Sequence, residues 1–223
     1  MLSLRTEEWI VVTTTTSVAA MLSRLALSLA LLAAPLAAQA LPPPVSTAPR
    51  EDLVKVAIDT SEGRILVALD RGRAPITVAN FLHYVDTHRY NGQTFYRAMP
   101  YGKGGLIQAG IITDARKLLP PIADEPTAKT GLHNVRGTLA MARAEPGSAR
   151  SDFFILTTDI PGFDAGAPGG DADGFAAFGH VVEGMDVVEK IFRDPVSPTK
   201  GEGAMKGQML EPAVKILQAT RVK

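Results

Sequence analysis

The feature that most constrains this chain is a succession of short β-branched runs separated by turn residues. Leu53-Val-Lys-Val-Ala-Ile-Asp59 and Arg64-Ile-Leu-Val-Ala-Leu-Asp70 both alternate apolar and polar side chains. A period of two predicts strands with one buried face. Thr60-Ser-Glu-Gly63 between them is turn chemistry, so the pair reads as a hairpin. Further strands are predicted over 94–99, 106–109, 138–142, 152–157, 175–182 and 214–222. Ile76, Ala79, Phe81, Leu82 and Val85 recur at helical spacing behind Pro75, predicting a helix that ends near Arg89. A second, amphipathic helix is predicted from Met185 to Phe192. The stretches 111–136 and 161–174 read as loops. About eight strands and two helices without a βαβ repeat predict a mainly β fold, a closed or nearly closed eight-stranded antiparallel barrel.

The first forty residues stand apart from this pattern. Leu25–Ala40 is a short apolar run broken by Pro35 and ending in Ala38-Gln39-Ala40, the small-x-small pattern at which a signal peptide is cut. Met21 and Arg24 give this leader ordinary proportions, whereas Glu7, Glu8 and Thr13–Thr16 suit a signal peptide poorly. We therefore expect a signal region over 1–40, with Met21 as the true start and 1–20 as upstream sequence. Export to a periplasm-like compartment is the corresponding expectation. Residues 41–52 are proline-rich and read as an extended linker before a domain over 53–223.

Composition narrows the function. Lys+Arg and Asp+Glu both number 23, which gives no electrostatic reason for nucleic acid or an anionic membrane as partner. The chain has no cysteine, hence no disulfide, thiol nucleophile or thiolate metal site. Four scattered histidines argue against zinc, and no cofactor is expected. Asp171-Ala-Asp173-Gly174 lacks the twelve-residue calcium-loop pattern and reads as a solvated turn. Ser148 and Ser151 lack a Gly-x-Ser-x-Gly context.

Three segments, in order, resemble the cyclophilin family of peptidyl-prolyl cis–trans isomerases, in its bacterial exported branch. They are Phe95-Tyr-Arg-Ala-Met-Pro100 with Leu106-Ile-Gln-Ala-Gly110, Gly137-Thr-Leu-Ala-Met-Ala-Arg-Ala144 with Ser151-Asp-Phe-Phe-Ile155, and Phe178-Gly-His-Val-Val-Glu-Gly-Met185. The resemblance spans residues 53–222. It implies a barrel with a helix at each end, and rotation about Xaa–Pro bonds of proline-containing polypeptides by a monomer. Position by position, it implies Arg97 as the catalytic arginine and Gln108 as the active-site glutamine. Phe154 falls on the floor of the proline pocket, Leu106 on a pocket methionine, Phe163 on a pocket leucine, and Ala142 and Ala144 on small groove residues. The chain departs from the family pattern at Gly105, Asp152, Gly162 and Phe175, where a phenylalanine, a glutamine, a tryptophan and a histidine are usual.

The chemistry implied needs few groups. Amide resonance sets a rotation barrier of about 18–20 kcal/mol. A hydrogen bond to the prolyl nitrogen as it pyramidalises weakens that resonance. A guanidinium is always charged and rich in donors. Alternation puts Arg97 on one face with Phe95 and Met99, and Gln108 on one face with Leu106. Taken alone, a strand arginine is expected at the surface beside an acid. Asp152 shares a face with Phe154 and is expected to pair with Arg97, while Phe153 faces the barrel interior. Phe175, at a groove position of the family, reads as simple packing rather than substrate contact. Two rival readings are a barrel that holds proline segments without turning them over, and a barrel with an enclosed cavity for an apolar ligand.

Overall fold

The computed structural model describes residues 52–222. The expected leader and, Asp52 apart, the expected linker lie outside the described residues. Nine strands form: β1 (Leu53–Thr60), β2 (Gly63–Asp70), β3 (Thr94–Tyr101), β4 (Gly104–Gly110), β5 (Thr138–Met141), β6 (Phe153–Leu156), β7 (Ala177–Glu183), β8 (Val196–Ser197) and β9 (Met209–Val222). The helices are α1 (Pro75–Asp86), the four-residue α2 (Thr127–Thr130) and α3 (Met185–Phe192). The order β1-β2-β7-β5-β6-β4-β3-β9 closes through a β1–β9 pairing, giving an eight-stranded antiparallel barrel with β8 appended to β9.

Alternation explains why this sheet curls around a core. Val56, Ile58, Ile65, Val67, Leu69, Ile107, Leu139, Phe153 and Ile155 point inward and are buried. Phe81 of α1 closes one end, its ring 5.1 Å from Tyr90 and from Phe153 and 5.2 Å from Phe178. Val188 and Ile191 of α3 join the same core. Each such side chain contributes about 1.5–3 kcal/mol by leaving water. Side chains thus fill the barrel interior, which argues against the reading of an enclosed ligand cavity.

Several boundaries differ from the sequence reading. Helix α1 stops at Asp86, where the Thr87 amide donates to the His83 carbonyl, and His88 lies beyond it at φ 55°. The last strand begins five residues earlier than expected. Pro212 reads as a strand breaker, yet Met209 and Leu210 already pair with β8. Phe175 precedes β7 in a loop, held by its amide donating to the Phe163 carbonyl at 2.8 Å. The loop over 111–136 contains α2, with its Gly131 C-cap in the left-handed region.

Candidate active site

Cross-strand register gathers the site. Arg97 of β3 lies opposite Gln108 of β4, Gln108 opposite Phe154 of β6, and Phe154 opposite Ala140 of β5. Met99, Leu106 and Leu156 form the next row. Adjacent strands are about 4.8 Å apart, so a row of this kind sets a cation roughly 10 Å from an aromatic ring two strands away. Leu106, Ala140, Phe154, Leu156 and Ile160 form a second apolar cluster, separate from the barrel core. Phe153 belongs to the core and Phe154 to this cluster, as alternation requires.

A β-bulge corrects the expected face of Arg97. The β3–β4 register shifts between Phe95 and Arg97, so that Tyr96 is the extra residue. Phe95 and Ala98 point into the core, whereas Tyr96, Arg97 and Met99 line a groove. An inserted residue resets the alternation locally and re-aims the side chains that follow it. Arg97 therefore shares a face with Met99 but not with Phe95.

The groove encloses about 630 Å³. All nine site residues expected from the sequence line it: Arg97, Leu106, Gln108, Ala142, Ala144, Asp152, Phe154, Phe163 and Phe175. Tyr96, Met99, Leu118, Arg143, Ser148, Arg150 and Met205 complete the wall. Three rings form its apolar end. Phe154 meets Phe163 edge-on at 5.6 Å and Phe175 at 5.5 Å, and Phe163 lies 4.7 Å from Phe175. The Arg143 guanidinium lies 5.3 Å from the Phe175 ring centre. Phe175 is thus both packing and groove lining. Gly162 has open space where the tryptophan of the family would stand.

Arg97 is half-buried and bound by amides. Its Nε donates to Gln208 Oε1 at 2.8 Å and its Nη1 to Gln108 Oε1 at 2.9 Å. Among the described residues no carboxylate pairs with it. Burial pulls its pKa below the ordinary value, partly countered by Tyr96, yet a guanidinium remains charged. The expected pairing with Asp152 is not formed. Asp152 Oδ1 accepts from the Tyr96 hydroxyl at 2.8 Å and Oδ2 from Ser151 Oγ at 2.9 Å. Tyr96 stands between the two charges because of the bulge, a displacement that alternation alone does not reveal.

Chemically, the site offers a cation with its charge uncompensated by any neighbouring acid among the described residues, a buried amide beside it, and an aromatic floor. Preorganised donors in a partly dry groove favour the state in which new lone-pair density develops. Tyr96, Gln208 and Arg143 were not singled out in the sequence. The only signal for Tyr96 was its position next to Arg97. Among the described residues no group of three or more His, Asp or Glu side chains gathers to hold a metal ion, and no helix is long and apolar enough to cross a membrane.

Comparison with known proteins gives consistent matches. The model of the family described as cyclophilin type peptidyl-prolyl cis-trans isomerase/CLD matches residues 54–221. Peptidyl-prolyl cis-trans isomerase A of Dickeya dadantii is 43% identical over 141 residues, 61% of this chain and 70% of that protein. Peptidyl-prolyl cis-trans isomerase B of Escherichia coli is 39% identical over 139 residues, 61% of this chain and 82% of that protein. The crystal structure of a cyclophilin type isomerase of Cryptosporidium parvum superposes with a TM-score of 0.62 at 20% identity, covering 77% of this chain and 99% of that one. That last likeness is one of fold.

Proposed function

Because the chain belongs to the cyclophilin-type peptidyl-prolyl cis-trans isomerase family and is a rotamase, we propose that it turns exposed Xaa–Pro bonds of exported proteins as they fold, with Arg97 as the catalytic residue. Phe154, Leu106 and Phe163 grip the proline ring in the apolar end of the groove. Gln108 holds the substrate backbone beside it, and Ala142 and Ala144 leave room for the chain on either side. As the bond twists, the prolyl nitrogen loses conjugation and becomes an acceptor. A guanidinium N–H pointed at it stabilises the twisted state more than the planar one, which is the condition for a faster step. No bond is made or broken.

One observation carries this reading: among the described residues, Arg97 is held in an apolar groove by two amide oxygens and by no carboxylate. A structural arginine would be neutralised by an acid, whereas a catalytic one keeps its field for the substrate. The test is cis-to-trans exchange of a short Xaa–Pro peptide, with Arg97→Ala as the variant. Turnover should fall by about 100-fold or more, the range for removing one preorganised donor. An unchanged rate overturns the role of Arg97, and binding without turnover in the parent protein favours the module that only holds proline segments.

Export rests on Leu25–Ala40 alone. Expression of the full chain in a Gram-negative host tests it. A product in the periplasmic fraction beginning at Leu41 supports cleavage after Ala40, and a cytoplasmic product beginning at Met1 or Met21 refutes it.

A further inference from the structure

Arg97 and Asp152 are joined by two neutral groups whose hydrogen bonds all run one way. Arg97 Nη1 donates to Gln108 Oε1 at 2.9 Å, Gln108 Nε2 donates to the Tyr96 hydroxyl oxygen at 2.6 Å, and that hydroxyl donates to Asp152 Oδ1 at 2.8 Å. Both ends are fixed by charge. A guanidinium can only donate and a carboxylate can only accept. Between such ends the Gln108 amide has one orientation, with its oxygen toward Arg97. Gln108 and Tyr96 are 8% and 7% exposed, so water does not compete freely for these bonds.

The carboxylate has a built seat. A side chain on Gly110 would begin 2.4 Å from Asp152 Oδ1, so the absence of one makes the room. Ser151 Oγ occupies the second oxygen. We infer that Asp152, acting through Tyr96 and Gln108, is a positioning residue that sets the direction of the Arg97 guanidinium and makes its turnover depend on the charge of the carboxylate. This deepens the reading of Arg97 as catalytic and rests on it.

A proton on Asp152 weakens the bonds that seat it. Each oxygen accepts one hydroxyl, and on protonation both bonds lose their charge assistance, the protonated oxygen becoming the poorer acceptor. The other charged or titratable groups around Asp152 are Tyr96 and Arg97 of β3, Tyr84 of α1, Tyr90 beyond it, and Arg150 two residues upstream. Burial raises all three phenols, which stay neutral through acid and neutral pH, and the arginines stay charged. Asp152 itself is raised above the ordinary carboxylate value by burial. It is the one carboxyl group of this set.

The experiment measures kcat and KM on an Xaa–Pro peptide by NMR exchange between about pH 4 and 8, in the parent chain, Asp152→Asn, Tyr96→Phe, the double variant and Arg97→Ala. The parent should lose kcat on acidification with KM nearly constant. Each single variant should lose about tenfold in kcat and show no acid limb, and the double variant should be no slower than either, since members of one chain are not additive. A parent-like pH profile in Asp152→Asn or Tyr96→Phe, or losses that add in the double variant, overturns the relay while leaving Arg97 catalytic. Parent-like turnover in Arg97→Ala overturns the underlying reading instead. Tyr96→Phe keeps the carboxylate and Asp152→Asn keeps the hydroxyl, so each leaves one half of the pair in place.

Discussion

Gly105 and Phe192 compete for one place: a side chain on Gly105 would begin 2.8 Å from the Phe192 ring of α3, and 1.9 Å from the Met99 carbonyl oxygen. The phenylalanine usual in the family at this position is therefore excluded by backbone, and a ring from α3 lies there instead. Gly105→Ala should destabilise the fold by about 1–3 kcal/mol, the range for overpacking, measured by urea unfolding. A variant as stable as the parent would show that β3 and β4 can part at no cost.

Gln108 accepts from Arg97 through its amide oxygen. Gln108→Glu keeps the shape and places a carboxylate there. The cation is then neutralised, and kcat should fall by about tenfold or more while the melting temperature changes little. Peptide exchange and a thermal melt together check this, and a parent-like kcat would mean that the guanidinium field is not what the substrate uses.

Arg143 ties the 161–174 loop to the strand region after β5. Its side chain is 2% exposed, its Nη2 donates to the Gly174 carbonyl at 2.5 Å and lies 3.0 Å from Asp171 Oδ1. Among the described residues its Nε has no hydrogen-bond partner, with Asp124 Oδ2 at 3.8 Å. Arg143→Ala removes these ties and the contact with Phe175, which with Phe163 walls the proline pocket. We expect a melting temperature lower by about 5 °C or more, faster proteolytic nicking between Pro161 and Gly174, and a raised KM. A loop that stays protected would assign its order to the Phe163–Phe175 contact instead.

Burial raises the Asp152 pKa above its unfolded value. The native state therefore holds this proton more tightly than the unfolded state does. The resulting stabilisation is full below the ordinary carboxylate value of about 3.9 and is lost as pH rises through the raised native value. Asp152→Asn carries no such titration. Its melting temperature relative to the parent should climb between about pH 4 and 7. A difference that is flat or falls with pH would refute the raised value. Higher stability with lower turnover in one variant is the expected cost of a functional charge held in a groove.

Much of this architecture was legible in the residues. The alternation of 53–59 and 64–70 predicts the β1–β2 hairpin, and the apolar spacing behind Pro75 predicts α1. Alternation also separates Phe153 from Phe154, because a period of two holds wherever a strand is regular. It failed at Tyr96, where the strand is not. Pro212 hid the first part of β9, since a strand proline is read locally while its tolerance depends on the neighbours that β9 finds. The expected Asp152–Arg97 pair failed for the same reason as the face of Arg97.

The chain by itself determined most of the strands, which face of each regular strand is apolar, and, through the family resemblance that three motifs in order carry, that Arg97, Gln108 and Phe154 belong to one groove. The tertiary structure alone decided how they meet. Strand order and register place Arg97, Gln108 and Phe154 in one row across β3, β4 and β6, and a single bulged residue inserts Tyr96 between a cation and a carboxylate. Alternation is a local property of the backbone, whereas register and bulges are set by partners distant in the chain, so no reading along the sequence could supply them.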